Sequence, residues 1–299
     1  MGYKARSIVV TLDIKHRPHA DRCQICGALG FFESALRKDG YDIMRCTACG
    51  VGHAIVAAFD ADRLYNSDYF NGKVRHAYVN YAGSEKVLRH EFRRQVGFLR
   101  KFVQRGKLLE IGCAYGFFLQ QAKLFFDVYG VEVSAEAVEF CHTTGLPNVW
   151  RAPLSGDLLQ EIGELDAIVL LDVIEHIDDV VGTMKLAVER LRPGGVILIT
   201  TGDLDSLLAR LTGAAWRLIA PPYHLWYFTR KSMGKMLGQF DCKEEHFSHP
   251  WKFVPLELII DQLGTMVGRQ LTLPSPFTGG GVPANLYDAM RVVYRKQAV

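Results

Sequence analysis

The sequence predicts an α/β protein, a doubly wound parallel sheet with a small metal-binding ribbon in front of it. Three observations predict this. Short apolar runs alternate with amphipathic segments from 107 to 201, the pattern of strand–helix–strand units. The run LLEIGCAYGFF (108–118) reads as a buried strand that breaks at Gly112 into a glycine-bearing turn and then enters a helix. Four of the seven cysteines fall into two Cys-x-x-Cys pairs.

Composition sets the outer limits. A chain of 299 residues, 49% hydrophobic and 22% charged, suits a soluble globular protein with one large core and a smaller unit. No apolar run approaches the ~20 residues that span a bilayer. Residues 1–20 form an extension that is charged throughout, with only Ile8–Val10 apolar, so it is no signal peptide and a cytoplasmic location is expected. The net charge of +3 hides an asymmetry: residues 1–106 carry 18 Lys and Arg against 10 Asp and Glu, while residues 107–299 carry 17 against 22. That split suggests two units. The basic half is either a nucleic-acid or anion surface, or a solvated face docked on an acidic domain.

The ribbon occupies residues 21–55. Cys23, Cys26, Cys46 and Cys49 have the spacing of a four-thiolate zinc site, with Gly27 and Gly50 supplying the permissive backbone of each knuckle. Phe31–Leu36 and Tyr41–Arg45 read as two strands around Lys38-Asp39-Gly40. So small a unit lacks a sufficient apolar core, and structural zinc would supply its folding free energy. Two disulfides or a redox pair are the alternatives, and a reducing cytoplasm argues against the disulfides. Cys113, Cys141 and Cys242 lack such spacing and read as core.

A helical connector follows over 56–105. Asp60–Asn71 reads as a loop or short helix. Glu85–Val103 reads as an amphipathic helix with Leu88, Phe92, Val96, Leu99 and Val103 in one stripe and a basic opposite side.

The α/β unit occupies 106–299. Helix 117–126 should lead to strand 128–132, and helix 135–143, capped by Ser134, to strand 149–151. Strand 166–172 is almost continuously apolar, as a strand buried on both faces should be. Helix 180–191 stops at Pro193-Gly194-Gly195 before strand 196–200. In such sheets ligands lie across the carboxyl ends of the strands. The glycine turn, Glu132 and Asp172 all fall at such ends, and an acidic residue ~20 positions beyond the turn suits ribose hydroxyls. The turn reads Glu-x-Gly-x-x-x-Gly and lacks the third glycine of the dinucleotide fingerprint.

Here the sequence resembles class I S-adenosylmethionine-dependent methyltransferases. The matching residues are LLEIGCAYGFF (108–118), GVEVS (130–134), DAIVLLDVIEHIDD (166–179) and LRPGGVILITT (191–201). It resembles more narrowly the bacterial branch with an N-terminal zinc ribbon, through YDIMRCTACG (41–50), the Tyr65–Tyr69 segment, a later tryptophan and PPYHLWYF (221–228). The stretch after Pro250 matches loosely. The resemblance implies a Rossmann-like, seven-stranded methyltransferase sheet whose last strand, 286–296, is antiparallel. It implies S-adenosylmethionine as donor, surrounded by Glu110, Gly112, Ala114, Gly116, Phe117, Glu132, Val133, Pro153 and Asp172. Within that set the turn would pass the methionine part, Glu132 would hold the ribose and Ala152–Leu154 would flank the adenine.

Methyl transfer to a hydroxyl or amine needs an in-line acceptor and a base. His176, in Asp172-Val173-Ile174-Glu175-His176, and His224, in an aromatic cap over 203–230, are the two catalytic candidates. Glu175, Trp216, Tyr223, Trp226 and Tyr227 are candidates for acceptor contact, the aromatic rings as a wall against a sugar or other flat ring. Either histidine can instead be a structural residue holding its loop. A divalent ion on Asp172, Glu175 and His176 is a further alternative. Helices are expected at 231–240 and, strongly apolar, at 253–267, with a flexible break at Gly279–Gly281.

The expected function is methyl transfer to a small or sugar-linked acceptor with histidine-assisted deprotonation. An RNA-directed methyltransferase using the basic half and an NAD-dependent oxidoreductase are the alternatives. The basic residues are dispersed and the turn spacing is wrong for NAD, so neither nucleic acid nor a nicotinamide is the expected partner. A membrane surface enters only through a lipid-linked substrate.

Overall fold

The computed structural model describes residues 22–29, 32–57, 59, 60, 64, 81, 83–257, 259, 260 and 280–298. The expected extension 1–20 and nearly all of the expected loop at 60–71 lie outside them.

The ribbon begins with β1 (Phe32–Lys38) and β2 (Tyr41–Cys46), antiparallel strands joined at Asp39 and Gly40. Both turn residues take positive φ, 48° and 86°, as a two-residue hairpin turn requires. β3 (Gly52–Ala54) pairs with β2 on the other side. The fourth strand of this sheet is β9 (Trp226–Tyr227), which arrives from the far part of the chain.

Helix α1 (Glu85–Leu99) buries Leu88, Val96 and Leu99 of the expected stripe, and Val87 beside them. It stops four residues short of Val103, where Arg100 folds its guanidinium over the Phe125 ring at 3.7 Å.

The α/β unit then runs β4 (Lys107–Ile111), α2 (Phe117–Ala122), β5 (Asp127–Glu132), α3 (Ala135–Thr143), β6 (Val149–Arg151), α4 (Gly156–Ile162), β7 (Leu165–Leu171), α5 (Val180–Arg190) and β8 (Leu191–Gly202). α2 ends before the expected Phe126, because Lys123–Phe126 turn back so that Asp127 N–H can reach the Gly106 carbonyl and start β5. α4 was not expected; Ser155 caps it by accepting from the Leu158 N–H. Ser134 caps α3 as expected.

After α6 (Leu207–Thr212) and β9 come α7 (Arg230–Leu237), β10 (Cys242–Ser248), β11 (Lys252–Pro255), β12 (Gly281–Ala284) and β13 (Ala289–Lys296). The expected apolar helix over 253–267 is corrected at its start. Residues 252–255 form a strand paired with β12, and Pro255, lacking a donor, ends it. The rest of that stretch lies mostly outside the described residues. Likewise Gly281 starts β12 rather than standing in a break.

The central sheet has seven strands in the order β10-β13-β8-β7-β4-β5-β6. β8-β7-β4-β5-β6 are parallel, and β13 is antiparallel to both β8 and β10. The chain leaves β4 toward β5 on one side and returns as β7 on the other, so the crevice opens beyond the carboxyl end of β4. One apolar cluster joins Ile168, Leu170, Ile197 and Ile199 of the sheet to Trp226, Phe228 and Met233 of the cap. It also takes in Cys23, Ile25, Ile43, Cys46 and Cys49 of the ribbon. The ribbon is thus part of the main core rather than a tethered bead.

Candidate active site

At the carboxyl end of β4, Gly112, Ala114 and Gly116 all take positive φ, 70°, 46° and 68°. A Cβ on Gly116 would stand 2.5 Å from Leu146 Cδ1 and 2.8 Å from Cys141 Sγ, so neither the backbone nor the packing admits a side chain there. Phe117 follows as the first, fully buried residue of α2, stacked on Tyr81.

Glu132 ends β5 and ties the turn to the next loop. One carboxylate oxygen accepts from the Ala114 N–H at 2.8 Å; the other accepts from Val133 and Ser134 N–H at 2.8 and 2.9 Å. Burial pushes its pKa up while these three donors pull it down. A carboxylate has about four acceptor sites, so roughly one is left for a ligand hydroxyl. Pro153 follows the end of β6, where Ala152 N–H donates to the Glu132 carbonyl. Beneath the turn, Glu110 is buried with one carboxyl oxygen that has no hydrogen-bond partner. Burial first, and then the nearby Cys141 and Glu132, push its pKa well above the usual carboxylate range. A crevice with a spare carboxylate site beside a left-handed turn suits the hydroxyls of a nucleoside donor.

Across the crevice, Asp172 directly follows β7 and also takes a positive φ of 56°. Its carboxylate receives Lys252 Nζ at 2.8 and 2.5 Å and the Thr200 hydroxyl at 3.0 Å. Partial desolvation pushes Asp172 up, but the Lys252 ammonium, helped by the Thr200 hydroxyl, outweighs it and leaves the pKa lowered. Lys252 comes from the start of β11, one residue before the stretch that the sequence pattern assigned to an apolar helix, so nothing local marked it.

Glu175 and His176 lie on the short 3-10 turn after β7. Glu175 is buried, accepts from the Thr201 hydroxyl at 2.8 Å, and is pushed up to about 8 by burial and then by Asp172. His176 donates from Nδ1 to the Tyr223 carbonyl at 2.9 Å, and His224 from Nδ1 to the Leu218 carbonyl at 2.8 Å. A carbonyl only accepts, so both rings carry the Nδ1 proton and present Nε2 as an acceptor. The rings meet edge to face with centroids 4.7 Å apart. Desolvation holds His176 down at about 4, so it is neutral at physiological pH.

The structure revises two expectations here. The ligand atoms that converge within 4.8 Å are those of Glu175, His176 and His224. Asp172 is outside that group, paired with Lys252. The aromatic wall is also mostly a buried layer. Trp216 is 2% exposed and donates its ring N–H to Asp288 at 2.9 Å. Trp226 is buried against His53 and donates to the Ile177 carbonyl at 2.9 Å. Tyr227 is buried and donates its hydroxyl to the His224 carbonyl at 3.0 Å, which fixes that residue. Of the expected wall, Tyr223 alone is half-buried.

The ribbon cysteines converge as their spacing predicts. Cys23 and Cys49 sulfurs lie 3.8 Å apart, as do those of Cys26 and Cys46, and all four fall within 4.8 Å of one another. Sulfurs ~2.3 Å from a tetrahedral zinc would be separated by about 3.8 Å. The four thiols are not linked as disulfides. The Cys49 thiol, by hydrogen bonding, holds Cys23 down at about 5, whereas that pairing and burial push Cys49 up.

The family model described as a methyltransferase domain matches residues 84–246. A ubiquinone biosynthesis O-methyltransferase of Caulobacter sp. (strain K31) is 29% identical over 130 residues, covering 40% of this chain and 52% of that relative. One from Rhizobium etli (strain CIAT 652) is 33% identical over 101 residues, covering 32% and 40%. The chain thus spans about half the length of the curated relatives it matches. Among solved structures, a SAM-dependent methyltransferase from Archaeoglobus fulgidus superposes with a TM-score of 0.47 at 18% identity, covering 71% of this chain and 94% of that one. A likeness that loose bears on neither activity nor acceptor.

Proposed function

This chain belongs to the methyltransferase-domain family, and we propose that it is an S-adenosylmethionine-dependent enzyme that methylates a hydroxyl of a small-molecule acceptor. The observation that carries the reading is one crevice with two unlike walls. Turn 112–116 with Glu132 stands on one side; His176 and His224, each with Nδ1 tied to a carbonyl, stand on the other.

When bound, S-adenosylmethionine supplies a sulfonium-bound methyl group. Glu132 would hold the ribose, the turn would pass the methionine part and Pro153 would border the adenine. His176 or His224 takes the acceptor's proton at Nε2. The buried, neutral His176 is in its accepting form across the physiological range. Tyr227 and the Tyr223 and Leu218 carbonyls orient the pair. An oxygen acceptor follows the relatives named as O-methyltransferases; a sugar-linked hydroxyl is the narrower option. The ribbon is proposed to hold structural zinc on Cys23, Cys26, Cys46 and Cys49.

A divalent ion on Glu175, His176 and His224 is the second reading, favoured by the convergence of their ligand atoms. Turnover that ignores added magnesium or manganese removes it. The RNA-directed alternative has less support, since β3 of the ribbon is committed to β9; salt-dependent RNA binding would revive it. The deciding experiment is calorimetry with S-adenosylhomocysteine against NAD, followed by a mass-spectrometric screen of phenols, nucleotide sugars and glycolipids for a methylated product. Binding of NAD alone would overturn the proposal.

A further inference from the structure

We propose that the ribbon is a clamp for the acceptor wall: its metal, by fixing the two cysteine knuckles, holds the segment 224–229 that carries His224. The donor wall stands without it. The inference rests on the reading of His176 and His224 as the acceptor side.

The second knuckle and the strand after it are tied to that segment, and the first knuckle is tied to Gln239, just past the helix that follows the segment. The second knuckle, Cys46–Cys49, runs through Gly50 and Val51 straight into β3, which pairs antiparallel with β9 as Gly52 with Tyr227 and His53 with Trp226. The Ala54 N–H donates to the Leu225 carbonyl at 2.9 Å, and the Leu225 N–H donates to the Glu175 carbonyl at 2.8 Å. Leu225, next to His224, is therefore held between the ribbon on one side and the 3-10 turn carrying Glu175 and His176 on the other. Past β9, the Thr229 hydroxyl meets the Cys49 carbonyl at 3.3 Å. Gln239 donates to the carbonyl of Ile25, inside the first knuckle, at 2.7 Å.

A two-residue strand has little stability of its own, so β9 depends on the strand beside it. β3, three residues long, depends in turn on a ribbon whose fold is set by its metal. The hydrogen bonds of turn 112–116 and Glu132, in contrast, run within the turn and to β5, α2, α3 and the segments that follow β5 and β6, and none of these bonds reaches the ribbon.

The test uses the full chain and does not require a known acceptor. The metal is removed with a thiolate-competing chelator, cobalt absorption reporting loss and return of the tetrathiolate site. Hydrogen exchange is then compared for peptides covering 222–229 and 108–118. The expected result is exchange at least tenfold faster in 222–229, little change in 108–118, and S-adenosylhomocysteine affinity within threefold, all restored by added zinc. A second variant leaves the cysteines alone. In Gly52→Val the new Cβ stands 3.1 Å from Tyr227 Cβ and 3.2 Å from Leu204 Cδ2, so it wedges the β3–β9 seam. It should retain the cobalt spectrum yet loosen 222–229 to the same degree. Unchanged exchange in 222–229 after metal loss or in Gly52→Val overturns the proposal, as does equal loosening of both peptides. A chain that binds no S-adenosylhomocysteine overturns the methyltransferase reading and leaves the exchange comparison standing.

Discussion

The two walls of the crevice are built differently. The donor wall is local: Glu132 reaches Ala114 only 18 residues away, and the rest of the turn is strand end, glycine and helix start. The acceptor wall is assembled from distant pieces. His176 meets Tyr223 across 47 residues, Asp172 meets Lys252 across 80, and Thr229 meets Cys49 across 180. A wall made of adjacent residues folds with its own supersecondary unit, whereas one made of distant pieces forms only when the whole core closes. The two should therefore respond independently to substitution.

The sharpest division is expected from the histidines. His176→Ala or His224→Ala should lower methyl transfer by roughly 10²–10⁴-fold, the usual worth of a positioned base. Calorimetry should still find S-adenosylhomocysteine affinity within threefold; an equal loss of donor binding would erase the division. Next comes Gly116→Ala, which puts a Cβ at positive φ against Leu146 and Cys141. Strain of about 1–3 kcal/mol should weaken donor binding by roughly 5- to 150-fold, with the histidine wall intact by hydrogen exchange.

Lys252→Met tests the point where the walls meet. It leaves Asp172 without its cation, but that carboxylate is 40% exposed and water screens it. A change of no more than about tenfold in kcat/KM is expected. A larger loss confined to acidic acceptors would make Lys252 a substrate-binding residue.

The smallest effect is on stability. From its ordinary 4.5 to about 8, folded Glu175 keeps a proton that the unfolded chain has released, so stability falls as pH rises through that window. His176, held at about 4, acts in the opposite direction below 6.5, so the range pH 6.5–8 is free of its contribution. Glu175→Gln should flatten the decline of Tm there. Glu110, also raised, contributes to the same slope and should leave a remainder.

The same contrast explains what could be read in advance. The turn, Glu132, Ser134, the alternation of strands and helices and the cysteine pairs all express themselves within about 25 residues, as periodicity, capping or spacing, and they stand where the pattern placed them. Trp216 and Trp226 were placed in an open wall because an aromatic-rich segment looks alike whether it lines a pocket or closes a core. Their ring N–H groups, bound to Asp288 and the Ile177 carbonyl, decide for the core. Lys252 had no local signature, since its role depends on a strand pairing of β11 with β12 and on a partner 80 residues upstream. The pairing of β3 with β9 was equally silent: three residues meeting two carry no pattern.

β13 lies between β8 and β10 and, among the described residues, is the only sheet partner of β10. During synthesis, β4 through β8 can associate as they leave the ribosome, but among the described strands β10 finds its sheet partner only when residues 289–296 emerge. Until then the β8 edge, rich in Val, Ile and Leu, stays open. A nascent chain halted before 289 should recruit holdase chaperones, whereas one released after 296 should not.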